Sequence, residues 1–372
     1  MSTHSSPLRH LGPNWYATVM GTAIVASAGA ALPVHRTGLR GAYEVVWALA
    51  ALLLLALLVA RAAHWARHPD QARQHLADPA VAPFYGCLAM ALLAVGGATG
   101  SVGSGVIGER AAVATDAVLW TTGTVVGLAA AAAVPYLMVT RHRIGPGDAS
   151  PVWLLSVVPP MVSAALGPTL VPHLPAGQWQ QAMLLGCYAL FGISLLATLL
   201  ILPVVFARLL HHGPLPLALT PALFLVLGPL GQSTTAVGNL ADVAPHAVAA
   251  PAAQAMAGFA LLYGVPVLGF AMLWLVLAAA MVVRAFRQGM GFAMTWWAFT
   301  FPVGTCVTGA AALARRTGLD AFTWLAVGLY VLLVAAWAVA GARTLAGLVS
   351  GKLLAAPRPA APALASTRAR TT

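Results

Sequence analysis

An unbroken run of apolar side chains, Leu52–Leu53–Leu54–Leu55–Ala56–Leu57–Leu58, lies inside a longer apolar segment that decides the fold class of this chain. A helix needs about 20 predominantly apolar residues to cross the hydrocarbon core of a bilayer. In lipid, the backbone polar groups must be satisfied within a helix or within a closed barrel. Because the strands of a barrel alternate apolar and polar residues, this continuous run predicts a transmembrane helix.

Nine more segments of the same kind occur along the chain. The ten predicted spans cover residues 15–32, 42–60, 84–102, 113–139, 152–171, 183–207, 217–237, 253–283, 296–313 and 323–342. They predict an all-α polytopic membrane protein with one membrane domain, residues 14–350. Residues 1–13 form a predicted cytoplasmic N-terminal segment, and the tail, residues 351–372, has a composition typical of disorder. The longest polar stretch between spans, residues 64–82, is predicted to be a cytoplasmic loop.

Composition and charge support a membrane protein and exclude several other classes. The 372 residues are 60% hydrophobic and 7% charged, whereas about 25% of residues are charged in soluble domains. The net charge of +11 would favour nucleic-acid binding in a soluble protein, but here the charges lie in short loops. Of the 19 basic residues, 14 fall on the side of the two termini, which predicts cytoplasmic termini. The expected location is the plasma membrane. The expected partners are the lipid bilayer and a small solute, not nucleic acid.

No pattern in the sequence indicates catalysis or a bound cofactor. Cys87, Cys187 and Cys306 all fall inside predicted spans, so neither a disulfide framework nor a metal-ligand spacing is expected. The chain has no Walker motif, no dinucleotide-binding glycine fingerprint and no zinc-ligand cluster. His142, Asp148 and His173 do not form a catalytic cluster by spacing. We therefore expect no catalytic residues, no metal and no cofactor, and we favour transport over an integral-membrane enzyme or a structural protein.

Helix-breaking residues concentrate in the odd-numbered spans. They are Met20–Gly21–Thr22, Gly96–Gly97–Ala98–Thr99–Gly100, Pro159–Pro160, Gly228–Pro229–Leu230–Gly231–Gln232 and Phe301–Pro302–Val303–Gly304. This is a tendency, since Pro135, Pro203 and Pro266 lie in even-numbered spans. Broken helices are tolerated in membranes where they line a cavity or are buried in protein. One interpretation is that the odd spans line a central pathway inside an outer ring; the other is ordinary packing of membrane helices.

The polar residues of the spans indicate whether such a pathway would carry cations or anions. No acidic residue lies near the middle of a span, which counts against a cation pathway and against proton coupling through carboxylates. Helix N-termini carry partial positive charge and attract anions. Hydroxyl and amide groups could also donate to an anion, or the hydroxyls could bond to the carbonyls of their own helices. They belong to Thr18, Thr22, Thr99, Ser101, Ser156, Ser163, Gln232, Ser233, Thr234, Thr300 and Thr305.

Four motifs in order resemble one transporter family. The first span contains Trp15–Tyr16–Ala17–Thr18–Val19–Met20–Gly21–Thr22–Ala23–Ile24, which resembles the first-helix signature of the tellurite-resistance/dicarboxylate transporter family. The ninth contains Trp296–Trp297–Ala298–Phe299–Thr300–Phe301–Pro302, which is similar to its ninth-helix signature. The fifth- and seventh-span breaks described above also fit. The chain has Ala23 at the position where many members have a second glycine, directly after Met-Gly-Thr. The family includes bacterial tellurite-resistance proteins, fungal malate permeases, fungal sulfite efflux pumps and plant slow-type anion channels.

The resemblance implies a fold, an activity and a site. It implies five helical hairpins in a quasi-five-fold arrangement around a central pore, and a homotrimer with one pore per protomer. The implied function is transport of a C4-dicarboxylate such as malate or of small inorganic anions; the alternative is efflux of tellurite or sulfite. Phe301 matches the aromatic that occludes the pore in relatives, and Pro302 predicts a bend that turns it inward. The predicted pore and gate residues are Phe301, Pro302, Met20, Gly21, Thr22, Gly97, Pro160, Gly228, Pro229 and Gln232.

Overall fold

The computed structural model describes residues 7–34, 38–351 and 353–354, and every regular element in these ranges is helical. The α-helices are α1 Tyr16–Ala31, α2 Arg40–Arg67, α3 Pro69–Ala77, α4 Gly86–Ala98, α5 Ser104–Ile107, α6 Glu109–Thr140, α7 Leu154–Val157, α8 Pro159–Leu166, α9 Gln178–His212, α10 Leu227–Ala247, α11 Ala250–Arg287, α12 Phe301–Thr317 and α13 Asp320–Val349. The predicted all-α class is confirmed. The prediction of a disordered tail falls almost wholly on residues outside these ranges, as does much of the N-terminal segment.

Short helices of other types lie between the α-helices. The 3-10 helices are Pro7–His10, Pro13–Trp15, Ala82–Tyr85, Pro146–Asp148, Pro151–Trp153, Gly167–His173, Leu217–Val226 and Met294–Phe299, and a π-helical turn, Thr99–Gly103, joins α4 to α5. Proline lies in most of these turns, since its fixed φ suits the start of a helix and its missing N–H needs no partner there.

Eight helical segments of the described chain are long and apolar enough to cross a membrane. The pair Pro151–Val157 and Pro159–His173 is bent by 52° at Val158, next to the predicted Pro159–Pro160 break, and would be a ninth span if it crosses as one. The first predicted span contains α1, whose 16 residues extend about 24 Å at 1.5 Å per residue. The chain is thus a multi-span membrane protein, and the count of ten spans stays a prediction.

Burial alternates along the chain between two classes of segment. In Ala82–Ile107, Leu217–Ala247 and Met294–Thr317, between 78% and 89% of the most apolar stretch is buried, and most residues of α1, α7 and α8 are buried too. In α2, α6, α9, α11 and α13 the buried share is only 22–28%. We call the first class the inner segments, namely α1, Ala82–Ile107, Pro151–His173, Leu217–Ala247 and Met294–Thr317. The second class comprises the outer helices, whose exposed apolar faces suit contact with lipid.

The contacts between elements arrange the inner segments as a closed ring. Contacts run from α1 to α4, from α4 to α8, from α8 to α10, from α10 to α12, and from α12 back to α1. Each inner segment also packs extensively against the outer helix that follows it in the chain, so the structure contains five inner–outer pairs in its described part. A five-fold rotation relating these pairs stays a prediction.

The inner segments run in one direction. Gly231 of α10 lies against Cys306 of α12, and further along Gly238 lies against Ala312, so these two helices are parallel. A Cβ on Gly231 would come within 2.5 Å of the Cys306 nitrogen, and only glycine permits this approach. Residues near the starts of all five inner segments line one small cavity, so all five begin at the same end of the ring.

The predicted loop at residues 64–82 is instead partly helical. α2 continues to Arg67, and α3 follows it as a separate short helix. The ring of His75 in α3 stacks on that of His64 in α2, with centroids 5.4 Å apart and an interplanar angle of 10°. The buried Arg61 donates to the carbonyl oxygen of Leu11 at 2.5 Å. These contacts hold the N-terminal segment and α3 against the end of α2.

The histidine stack makes the docking of α3 sensitive to pH. Burial, followed by the positive charge of Arg61, lowers the pKa of His75 from 6.5 to about 4; His64 and His10 add to this effect and Asp78 opposes it. A base whose pKa is lower in the folded state loses folded stability as pH falls from the unfolded pKa toward the folded one. We expect hydrogen exchange in α3 to report this loss between about pH 6.5 and pH 4 after correction for intrinsic rates.

A substitution separates this effect from general acid sensitivity. His75→Gln removes the titrating group, so the excess exchange at low pH should shrink in α3 and stay unchanged in α13. Identical pH profiles for the wild-type protein and His75→Gln would contradict the prediction.

Candidate transport pathway

A small cavity of about 30 Å³ lies near the starts of the inner segments, and all five of them line it. Its lining residues are Ala17, Met20, Phe84, Cys87, Val152, Leu155, Ala222, Leu225, Met294, Thr295, Trp297, Ala298 and Pro302. We call it the central cavity. Most of these residues lie in or beside the 3-10 turns that open the inner segments, and four of the five turns contain a proline. That repeated proline was a sequence signal that our prediction of the site did not use.

The central cavity is narrow and its walls are almost entirely apolar. The side chain of Thr295 is the polar exception, and its Oγ1 donates to the carbonyl oxygen of Ala218 at 2.5 Å. The space in which a water molecule can be centred is only about 30 Å³, which is enough for a few waters. An anion that keeps its full hydration shell therefore does not fit in the cavity. Any pathway along the axis of the ring would therefore be constricted at this level in the conformation described.

The break in the ninth predicted span is a helix start and not a bend. The 3-10 helix Met294–Phe299 ends at Thr300, whose φ of −97° and ψ of −81° depart from helical values, and α12 begins at Phe301. Pro302 lies in the first turn of α12, where a missing N–H leaves no helical hydrogen bond unmade. The predicted bend caused by Pro302 is thus wrong in its mechanism, because the departure from helical backbone lies at Thr300, two residues earlier.

The position of Phe301 on α12 follows from its neighbours one turn later. Gly304 lies against Ile24 of α1, and the Thr305 hydroxyl lies 3.3 Å from the carbonyl oxygen of Gly228 in α10. At about 100° per residue, Phe301 falls about 60° from Gly304 and about 40° from Thr305. Phe301 is therefore on the face of α12 between its contacts with α1 and with α10, and only 3% of its surface is exposed.

Phe299, two residues earlier, has different surroundings. Its ring packs edge-to-face on Phe224, with centroids 4.8 Å apart, and contacts Trp296 at 6.0 Å. Phe301 makes no comparable ring contact within the described part of the chain. Phe299 therefore belongs to an aromatic cluster that fixes the 3-10 helix, whereas Phe301 lies outside that cluster.

Gly228 borders free space inside the ring. It is buried, yet a Cβ at this position would meet no atom within 4 Å. It lies at the level of Thr305, which is one turn beyond Phe301 along the parallel helix α12. Pro229 is buried beside it. One turn further, Gln232 is 3% exposed, and no described residue donates a hydrogen bond to its Oε1.

The other predicted pore residues fall into different environments. Met20 and Pro302 both line the central cavity. Gly97 lies against Leu166 at the end of α8, and Pro160 is buried just after the bend at Val158. Gly97 thus has a packing contact, and Met20 and Pro302 are the predicted residues that the structure brings together.

Gly21 and Thr22 do not line the central cavity. A Cβ on Gly21 would come within 2.3 Å of the Thr300 hydroxyl, so this glycine allows α1 to approach the ninth predicted span. The Thr22 hydroxyl donates to the carbonyl oxygen of Thr18 at 2.7 Å and accepts from Trp337 Nε1 of α13 at 3.1 Å. Thr22 therefore faces an outer helix.

The hydroxyl groups considered as anion donors are bonded within their own segments. Each donates to a carbonyl oxygen three or four residues earlier: Thr18, Thr22, Thr99, Ser101, Ser156, Ser163, Ser233, Thr234, Thr300 and Thr305. Of the two interpretations, this geometry favours back-bonding. Cys87, Cys187 and Cys306 are buried and unpaired, and no group of three potential metal ligands occurs among the residues described.

Comparison with known proteins identifies relatives over nearly the whole chain. The family model described as voltage-dependent anion channel (SLAC1) matches residues 10–345. An uncharacterized transporter of Methanocaldococcus jannaschii is 26% identical over 347 residues, which cover 93% of this chain and 96% of the relative. The sulfite efflux pump SSU1 of Arthroderma otae is 27% identical over 339 residues, and that of Trichophyton rubrum is 27% identical over 342 residues; each match covers 89% of both chains. The match to the family model extends over all five inner–outer pairs.

Proposed function

We propose, because this chain belongs to the voltage-dependent anion channel (SLAC1) family, that it carries small anions across the membrane along the axis of its inner ring. The family resemblance inferred from the sequence motifs is confirmed. Membership of this family implies that the chain transports small anions. Its relatives are named as transporters and efflux pumps and not as enzymes. The observation that carries the proposed route is the central cavity, because all five inner segments contribute to its wall.

The packing of the inner segments supports an axial route. They form a closed ring, and Gly228 borders unfilled space inside it one turn beyond Phe301. Interruptions of helices in a bilayer are tolerated where they line a cavity or are buried in protein, and the breaks here meet that condition. An anion on this route would pass the central cavity, then Phe301, then Gly228 and Gln232.

We assign the gate to Phe301. Three observations support this: its burial, its position between the α1 and α10 sides of α12, and its lack of a ring partner. An apolar ring across a narrow pathway blocks a hydrated anion because removing the hydration shell without replacement is costly. Pro302, the next residue, lines the central cavity that the ring would close.

Backbone groups are the proposed source of anion stabilisation. The side-chain walls of the central cavity are apolar, and the nearby hydroxyls are engaged within their own segments. Inner segments begin at the cavity end of the ring, and helix N-termini present N–H groups and partial positive charge. This arrangement favours anions without placing a buried arginine in the path.

We favour a small inorganic oxyanion such as sulfite as the substrate, and we keep a C4-dicarboxylate such as malate as the second candidate. Curated relatives that align over most of their length are named sulfite efflux pumps, and the central cavity is small. Tellurite is a further oxyanion of the predicted set. Flux of sulfite, tellurite, nitrate, chloride and malate into proteoliposomes containing one purified preparation tests the assignment. Faster uptake of malate than of all the inorganic anions would contradict it.

Orientation and assembly are also proposals. The excess of basic residues on the side of the termini favours cytoplasmic termini in the plasma membrane. A reporter fused after residue 352 should behave as cytoplasmic, and periplasmic activity would reverse the orientation. The resemblance implies a homotrimer, which chemical cross-linking of the protein in native membranes would detect as a band of three chains.

Loop arginines should speed anion entry through long-range attraction. Arg141 and Arg143 follow α6, are exposed, and make no ion pair with a described residue. Replacing both by Gln should lower flux at low salt and have little effect at physiological ionic strength, where the Debye length is about 8 Å. Flux measured at two ionic strengths checks this. An equal loss at both would instead indicate a structural role.

A further inference from the structure

A crevice of about 720 Å³ lies between α2 and α13, with α1 as its floor. Its walls are formed by residues 49–60 of α2 and residues 337–348 of α13, and nearly all the lining side chains are apolar. Four of its polar side chains are already engaged with one another: Trp297 Nε1 donates to the Thr344 hydroxyl at 3.0 Å, and Trp337 Nε1 donates to the Thr22 hydroxyl. The crevice therefore offers its occupant an apolar surface, because these four side chains already use their hydrogen-bonding groups with one another.

The crevice opens toward lipid. α2 and α13 are outer helices, and both are long and apolar enough to span a membrane. Large apolar side chains next to the opening are exposed, including Leu52 and Leu55 of α2 and Val339 and Leu345 of α13. The phase that these faces contact is the hydrocarbon of the bilayer. The volume of the crevice is within the range of about 300–1,000 Å³ that is typical of ligand pockets.

The dimensions of the crevice accommodate an extended hydrocarbon chain. Both walls are 12 residues long, which corresponds to about 16–17 Å at 1.5 Å per residue. The space between them is about 720 Å³, and its apolar walls favour hydrocarbon over water. A helix from a second copy of the chain is the competing occupant, and the test below distinguishes the two.

Charge at one end of the crevice matches a lipid headgroup. Arg67 follows Ala60, the last lining residue of α2, by seven positions, which returns it to within about 20° of the same helix face. It is exposed and has no ion-pair partner among the residues described. Trp65 is 38% exposed at the same helix end, as is typical of side chains at the membrane–water interface. A phosphate at this level would meet Arg67 while its acyl chain enters the crevice.

We propose that this crevice binds an acyl chain of a phospholipid from the leaflet at the end of α2, with the lipid phosphate at Arg67. Trp297 gives the site a connection to the pathway, because its indole lines both the crevice and the central cavity. The bound chain would support the outer side of the wall that Trp297 forms.

The test is photolabelling of the purified full-length protein with phosphatidylglycerol that carries a diazirine in its acyl chain. Peptide mapping should find the label in residues 49–60 and 337–348. Gly341→Trp fills the crevice, because Gly341 lines it and a Cβ there meets no atom within 4 Å. Each methylene displaced from an apolar site lowers affinity about fourfold. If the indole displaces one or two methylenes of the bound chain, labelling of these peptides should fall about tenfold.

Gly328→Trp is the matched control. Gly328 lies on the same helix, is exposed, does not line the crevice, and also has open space around a Cβ. It should leave labelling of both peptides unchanged. Ala56→Trp, on the opposite wall, should reproduce the Gly341→Trp loss and replaces it if that variant does not fold. Equal labelling in all variants would overturn the proposal. So would cross-links between α2 and α13 of two copies, because they would show that another protomer covers the crevice.

Discussion

Replacing Phe301 by alanine should raise anion flux by at least about tenfold, which corresponds to lowering a barrier by about 1.4 kcal/mol. Phe301 lies on the α12 face between the α1 and α10 contacts, beside the central cavity and one turn before the free space at Gly228. Removing the ring would join these two spaces and let the anion keep more of its hydration. Proteoliposome flux, normalised to the amount of folded protein, measures the effect.

Phe299→Ala is the control for this experiment. Its half-buried ring packs on Phe224 and Trp296, so truncating it should cost part of the about 3–5 kcal/mol that is lost with a fully buried aromatic. This variant should unfold at a lower temperature without conducting better. Higher flux in Phe299→Ala together with unchanged flux in Phe301→Ala would show that the gate had been assigned to the wrong ring.

Gly228→Val should have the opposite effect and reduce flux by at least about tenfold. The added side chain would enter the unfilled space inside the ring, where a Cβ meets no atom within 4 Å, so it would narrow the route without forcing helices apart. Raising the free-energy barrier to anion passage by about 1.4 kcal/mol is enough to reduce flux tenfold. Flux and thermal stability should be measured on the same preparation.

Gly186→Val tests whether any such substitution in a membrane helix is harmful. Gly186 lies on the outer helix α9, is exposed, and also has open space around a Cβ. It should transport normally. If Gly228→Val transports as well as Gly186→Val while both remain folded, the route does not pass Gly228.

The sequence predicted the class of fold well because hydropathy reports burial in lipid directly. The extent of α2 shows where that signal ends. Its apolar run predicts a span at residues 42–60, but the helix continues to Arg67 because Arg61 and His64 are buried against the N-terminal segment and α3. Such burial depends on partners distant in the sequence. α3 itself was missed because a short polar helix carries no hydropathy signal.

The candidate site was only partly predictable for a related reason. In an inner segment both faces are buried and apolar, so periodicity does not tell the axial face from the face toward an outer helix. Thr22 was expected to line the pore but accepts a hydrogen bond from Trp337 of α13. Gly21 marks a close helix approach. The Pro159–Pro160 pair located the bend at Val158, because a missing backbone N–H acts locally.

The common direction of the inner segments has an electrical consequence. Five helical segments start at the cavity end of the ring and finish at the other end, so one mouth collects partial positive charge and the opposite mouth collects partial negative charge. An anion approaching from the two sides therefore meets different potentials at equal and opposite voltages. We expect the open protein to rectify, with larger anion current for entry at the mouth formed by the helix N-termini.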